Sequence, residues 1–174
     1  MKHRHSHLLI GYWGGLHAAG QRPEEGAFDE AIISSLAPHL FILEMEQGAN
    51  ARYRLAGSAI EHAFGLHLQG TDFLDHWAES DRDLVKDFSV LAVHSRRPLC
   101  LLSFCDYEKI EFETVLVPVT AADVRRKRII GVSMALGDEP PKPAPRRRIQ
   151  HLTHIGFAHD ALTAKSDRSL RRRA

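Results

Sequence analysis

Lys109-Ile110-Glu111-Phe112-Glu113-Thr114-Val115-Leu116-Val117-Pro118-Val119 reads as one long strand. Side chains alternate across a strand, so Ile110, Phe112, Thr114 and Leu116 share one face while Val115, Val117 and Val119 share the other. Both faces are apolar in its second half, and each therefore needs a covering layer. Two further strands flank it, over 99–104 and 129–136, joined by turns at Asp106-Tyr107-Glu108 and over the charged 121–128. Before them, 81–95 is the clearest helix. Ser80 is its expected cap, Asp81 and Asp83 suit its positive end, and Leu84, Val85, Phe88, Leu91 and Ala92 are its expected buried stripe. Arg96-Arg97-Pro98 ends it.

Further upstream, 40–46 reads as a strand, Gln47-Gly48-Ala49-Asn50 as a turn, and Tyr53-Arg54-Leu55-Ala56-Gly57 as the hairpin partner. Short helical pieces over 58–70 are broken by Gly65 and Gly70. Leu8, Leu9, Tyr12, Trp13 and Leu16 fall on one face of a leading helix. Phe28, Ile32, Ile33 and Leu36 make a second short stripe, ended by Pro38. Two strands, a helical middle and three antiparallel strands make an α+β pattern with a five-stranded sheet, unlike the alternation of a doubly wound fold. The central helices cover one face. The leading stripe is the natural cover for the other, alone or in a dimer.

This order resembles a PAS domain. The likeness sharpens at Tyr53-Arg54-Leu55-Ala56-Gly57-Ser58-Ala59, Phe64-Gly65 and Leu68 to Gly70. Tyr12-Trp13 and Leu36-Ala37-Pro38-His39-Leu40-Phe41 also match. Together they are similar to the signature of a bacterial PAS-like family formerly catalogued only as a domain of unknown function. Where that family has a charged pair after Phe-Gly, this chain has Leu66-His67. The resemblance spans roughly 8–136 and leaves out everything from Pro140 onward. It implies helices on one sheet face, the leading helix on the other, and between sheet and helices a small apolar pocket or simply a packed core. On that side the expected residues are Phe41, Leu43, Met45, Tyr53, Leu55, Phe88, Leu91, Ile110, Phe112 and Leu116. Leu8, Leu9, Tyr12, Trp13, Leu16, Val115 and Val117 are the expected interface set, forming or rearranging a homodimer.

The chain has 174 residues, 44% hydrophobic and 26% charged, which suits one domain with appendages. Its longest apolar runs fall far short of the roughly 20 residues that span a bilayer. Nothing at the start resembles a secretory signal, and Cys100 and Cys105 make no disulfide framework, so a cytoplasmic protein is expected. The formal charge of +1 hides an asymmetry. Residues 140–174 hold nine Lys and Arg against two Asp and Glu, while the remainder holds fourteen against twenty. Four prolines among Pro140-Pro141-Lys142-Pro143-Ala144-Pro145 read as a stiff spacer. The expected divisions are a helical segment over 1–37, a PAS-like domain over 38–137, and a Pro-rich linker with a largely flexible basic tail over 138–174.

Twelve histidines raise the question of a metal. His3, His5 and His7 alternate, so an extended segment would set them on one side. His151, His154 and His159 lack a metal-enzyme spacing and read as solvated tail. His94, near the end of the long helix, stands where some PAS sensors hold haem, or simply favours the helix dipole. Cys100 and Cys105, five apart, face opposite sides of a strand. No flavin-type Asn-Cys-Arg motif, nucleophile elbow or phosphate loop is present, and Glu111 and Glu113 are expected to project to solvent. The clusters Arg125-Arg126-Lys127-Arg128, Arg146-Arg147-Arg148 and Arg171-Arg172-Arg173 lack the aromatic interleaving of single-strand binders. The reading is a non-enzymatic sensory or regulatory protein, with no metal and with any cofactor unknown. It acts through dimerisation and a separate signalling partner, with room for a small apolar ligand. The alternative is an adaptor holding nucleic acid or an anionic surface through its basic tail.

Overall fold

Two backbone N–H groups at the start of the chain, those of Lys2 and His3, point at the carboxylate of Glu113. The His3 ring Nδ1 accepts the His5 N–H at 3.2 Å and so caps the first helix, α1 (Arg4–Ala18). Glu113, expected in solvent, is therefore fully buried, its charge answered by the donors of a helix start. The computed structural model describes residues 1–19, 28–45, 50–105, 109–120, 127–137, 141–142 and 147–158. Most of the turns expected at 47–50 and 121–128, the turn at 106–108, three of the four prolines over 140–145 and everything past 158 lie outside these.

α1 lies on the outer face of the sheet. Leu9, Ile10 and Trp13 are buried against Val115, Val117, Ile130 and Val132, with Leu8, Tyr12 and Leu16 partly buried beside them. The Trp13 indole donates to the Pro118 carbonyl at 2.8 Å, so its one polar atom is satisfied inside an apolar layer. α2 (Glu30–Leu36) starts where Asp29 accepts the Ala31 N–H at 2.8 Å, and Leu36 joins the same layer.

The strands are β1 (Leu40–Met45), β2 (Ala51–Ala56), β3 (Leu99–Cys105), β4 (Ile110–Thr120), β5 (Lys127–Leu136) and β6 (Gln150–Phe157). They form one antiparallel sheet in the order β2-β1-β5-β4-β3-β6. Phe41 crosses over Gly131 of the facing strand, and a Cβ there would collide with its ring. The inner face is covered by α3 (Ser58–Phe64), a 3₁₀ turn over Phe73–His76, and α4 (Glu79–Ser95). α3 stops at Gly65, whose φ of 73° is the left-handed conformation that ends helices. Helix α4 begins at Glu79, two residues before the expected start, with Ala78 offering no side-chain cap. Asp81 instead turns its carboxylate to the Leu152 N–H at 2.8 Å. Among the described residues no helix is long and apolar enough to cross a membrane.

The sixth strand overturns the expectation of a five-stranded sheet and of a solvated tail across 150–157. Ile149, Leu152 and Ile155 fall at a helical spacing, but the edge of β3 takes this segment as a strand. Gln150 is buried, accepting from the Ser103 hydroxyl at 2.7 Å through its side chain and from the Ala78 N–H at 2.9 Å through its backbone. His151 stacks on Phe104, and Arg97 lies 4.2 Å over the Phe157 ring. Arg148, read as part of a solvated cluster, is buried and donates to the carbonyls of Ala63 and Lys142. Its charge thus sits at the negative end of α3.

Candidate functional site

The inner layer is mostly packed side chains. Phe41, Leu43, Met45, Tyr53 and Leu116 join Phe64, Phe73 and Trp77 in its main buried cluster, with Phe88 partly buried against it. Phe112 packs with Ala63 and Cys105 in an adjoining cluster, Ile110 at its edge. Two expected members are absent from this interior. Leu55 is 47% exposed because a bulge makes Ile42 face Leu55 and Leu43 face Tyr53, leaving Arg54 as the extra residue. A bulge reverses the facing of the residues beyond it, and Leu55 turns away from Tyr53. Leu91 is 48% exposed, as is Leu84 at 46%, because α4 sets Val85, Ser89 and Ala92 against the sheet. Ser89 can be buried because its hydroxyl donates to the Val85 carbonyl at 2.7 Å. Small residues let the helix approach closely, which a stripe chosen by side-chain size misses.

His76 and Trp77, singled out by no motif, are completely buried. The His76 ring lies 5.1 Å from Phe64 and 5.7 Å from Tyr53 between centroids. Among the described residues neither of its nitrogens nor the Trp77 indole N–H has a hydrogen-bond partner. Burial, helped by the charge of Arg147, pushes the His76 pKa down to about 4, against a smaller pull from Asp75, so the ring is neutral at pH 7. Burial likewise raises the Tyr53 phenol, with Asp72 adding to it. The signal available in the sequence was Asp72, which accepts the Leu74 N–H at 2.9 Å and so opens the 3₁₀ turn that carries His76 inward.

The open space lies elsewhere. A cavity of about 160 Å³ sits under α3, against the inner ends of β4 and β5. It exists because Ala59 and Ala63, one turn apart on α3, face Ser133, Ala135 and Gly137, all too small to fill the gap. Phe64 and Phe112, stacked with centroids 5.7 Å apart, and Ile60 supply apolar wall. His3, His39 and His62 bring imidazoles to it. Of the ten residues expected to line a pocket, only Phe112 lines this one. The His39 pKa is lowered by burial and by His3, partly offset by its hydrogen bond to the Ser133 backbone. His5, 4.9 Å from the His3 ring and 5.4 Å from the His39 ring, is lowered chiefly by burial, then by His3, His39 and Arg4.

The N-terminal histidines do not alternate along an extended segment, because His5 and His7 already lie within α1. Among the described residues no group of three or more His, Cys, Asp or Glu is placed to hold a metal ion. His94 is exposed, its Nε2 3.2 Å from Lys127 Nζ at the outside of the layer. Cys100 and Cys105 form no disulfide and are buried in different clusters on opposite sides of the sheet. Burial, with Glu113 adding to it, pushes the Cys100 thiol up to about 11, which keeps it protonated and unreactive at pH 7.

A family model described as a PAS domain matches residues 1–134, from the start of the chain almost to the end of β5. β6 therefore lies outside the matched region. No curated protein matches the chain significantly.

Proposed function

Because the chain belongs to the PAS domain family, whose role is sensory or regulatory, we propose that it is a non-catalytic cytoplasmic sensor that responds to a small ligand. It acts as a homodimer and passes its signal to a separate partner protein. The cavity under α3 carries this reading. Space next to a short helix on the inner sheet face gives a ligand a way to bias how that helix sits, provided it binds one arrangement better than another. The outer-face residues expected to dimerise are largely used by α1 within the chain, so self-association proceeds with α1 in place rather than through a bare sheet. The basic-tail adaptor is the weaker reading, since Arg147 and Arg148 are engaged with Asp75 and with backbone carbonyls. Sedimentation of the full chain over a range of concentrations tests the dimer. A discrete two-chain species is expected, and a monomer at every concentration contradicts it.

A further inference from the structure

We infer that the cavity under α3 binds a small apolar carboxylic acid, its hydrocarbon part on Phe64 and Phe112 and its carboxylate among His3, His39 and His62. The inference rests on the ligand reading above and adds the chemistry of the ligand. Among the described residues, the polar side chains lining the cavity are the three imidazoles and Ser133, with no Asp or Glu. Two nearby carboxylates, those of Glu61 and Glu113, are committed elsewhere. Glu61 takes His67 Nδ1 at 2.7 Å and the Leu68 N–H at 2.9 Å, while Glu113 takes the backbone N–H groups of Lys2 and His3. An acid entering the cavity thus meets imidazoles for which neither of these two carboxylates competes.

The His3 imidazole is arranged to donate. His3 Nδ1 already accepts the His5 N–H, so the proton of the neutral ring sits on Nε2. The His39 ring is hydrogen-bonded to the Ser133 backbone at the cavity wall, which leaves its second nitrogen to gain a proton when an anion arrives. Arg148 adds positive charge behind the wall through its bond to the Ala63 carbonyl. The size fits as well. A cavity of about 150 Å³ holds a benzene ring, so one aromatic ring or a short branched chain fills this one.

The free His39 ring resists protonation, and a bound anion sets the sign of the pH dependence. Burial and His3, the cap of α1, disfavour an added proton on His39, and its hydrogen bond to the Ser133 backbone opposes them. The other charged or titratable groups of the packed elements are Arg4 and His5 on α1, His62 on α3, Glu113 on β4, and Arg148 at the end of α3. A bound carboxylate tips this balance toward protonated imidazole. Binding must then strengthen as pH falls, down to about pH 5, below which the free acid itself begins to protonate.

Calorimetric titration of the full chain with benzoate and with benzyl alcohol, at pH 6 and pH 8, tests this. One benzoate per chain is expected, roughly tenfold tighter at pH 6 than at pH 8, with benzyl alcohol weaker and indifferent to pH. The exposed His62→Gln variant should weaken benzoate several-fold at pH 6 without affecting benzyl alcohol. Ala59→Trp, which plugs the space, should abolish both. Equal binding of the two probes with no pH effect overturns the acid and leaves the cavity a ligand site. Binding of neither, or binding that survives Ala59→Trp, overturns the cavity as a ligand site, while the dimer is judged separately by sedimentation.

Discussion

His76 shows how much one buried residue can decide. Its folded pKa of about 4 lies well below the roughly 6.5 of an unfolded imidazole. Above pH 6.5 both states are neutral and the shift has no effect on stability. As pH falls from 6.5 to 4 the unfolded chain takes up a proton that the folded chain resists, and stability drops by about 3 kcal/mol. His76→Phe keeps the ring packing against Phe64 and Tyr53 and removes two unpartnered nitrogens. Urea unfolding at pH 7.5 and pH 5 should show a large loss in the natural chain and a much smaller one in the variant. Equal losses would mean that the ring titrates freely. Residues of this kind are hard to read from sequence. Phe112 could be placed from strand alternation alone, but His76 is carried inward by a 3₁₀ turn that has no periodicity. Leu55 was misplaced because a bulge of one residue leaves no mark in a hydrophobic pattern.

At the scale of elements, strand positions were legible because alternation and turn residues agree, and five strands lie within a residue or two of the expected bounds. Two elements were harder. The face of α4 follows its small residues, Ser89 and Ala92, and not its leucines. β6 carries few apolar side chains and takes its order from its neighbours, Ser103, Asp81 and Ala78 among them. α1 is the converse case, since its apolar face and the apolar outer face of β4 called for each other and meet. Trp13→Ala with Leu16→Ala should therefore cost about 3–5 kcal/mol, mostly from Trp13, and expose a dye-binding apolar surface. Chemical denaturation with a fluorescent probe of exposed apolar surface measures both. Unchanged stability would show that the outer sheet face does not depend on α1.

Seen whole, the molecule is a family domain extended by one strand. The family match ends at residue 134, yet β6 covers the edge of β3, and Arg148 and Gln150 tie its start to α3 and α4. The sheet thus continues past the prolines as far as Phe157. Truncation after Ala158, which keeps β6, is the reference. Truncation after Gly137 should strip the β3 edge and destabilise or aggregate the chain. If both truncated chains unfold like the full one, β6 is dispensable. Of the four prolines read as a divider only Pro141 is among the described residues, and the strand that follows them, β6, lies in the same sheet as β5.

The cavity was the least legible feature, because it is made by what Ala59, Ala63, Ser133, Ala135 and Gly137 fail to fill. On it rests the claim of a ligand-responsive dimer. Native mass spectrometry of untagged protein isolated from its own host, with an absorption spectrum of the same sample, tests that claim most directly. The account predicts a homodimer carrying one small organic acid per chain and lost on Ala59→Trp. A monomer with no added mass, whose spectrum and mass are indifferent to that substitution, would contradict it.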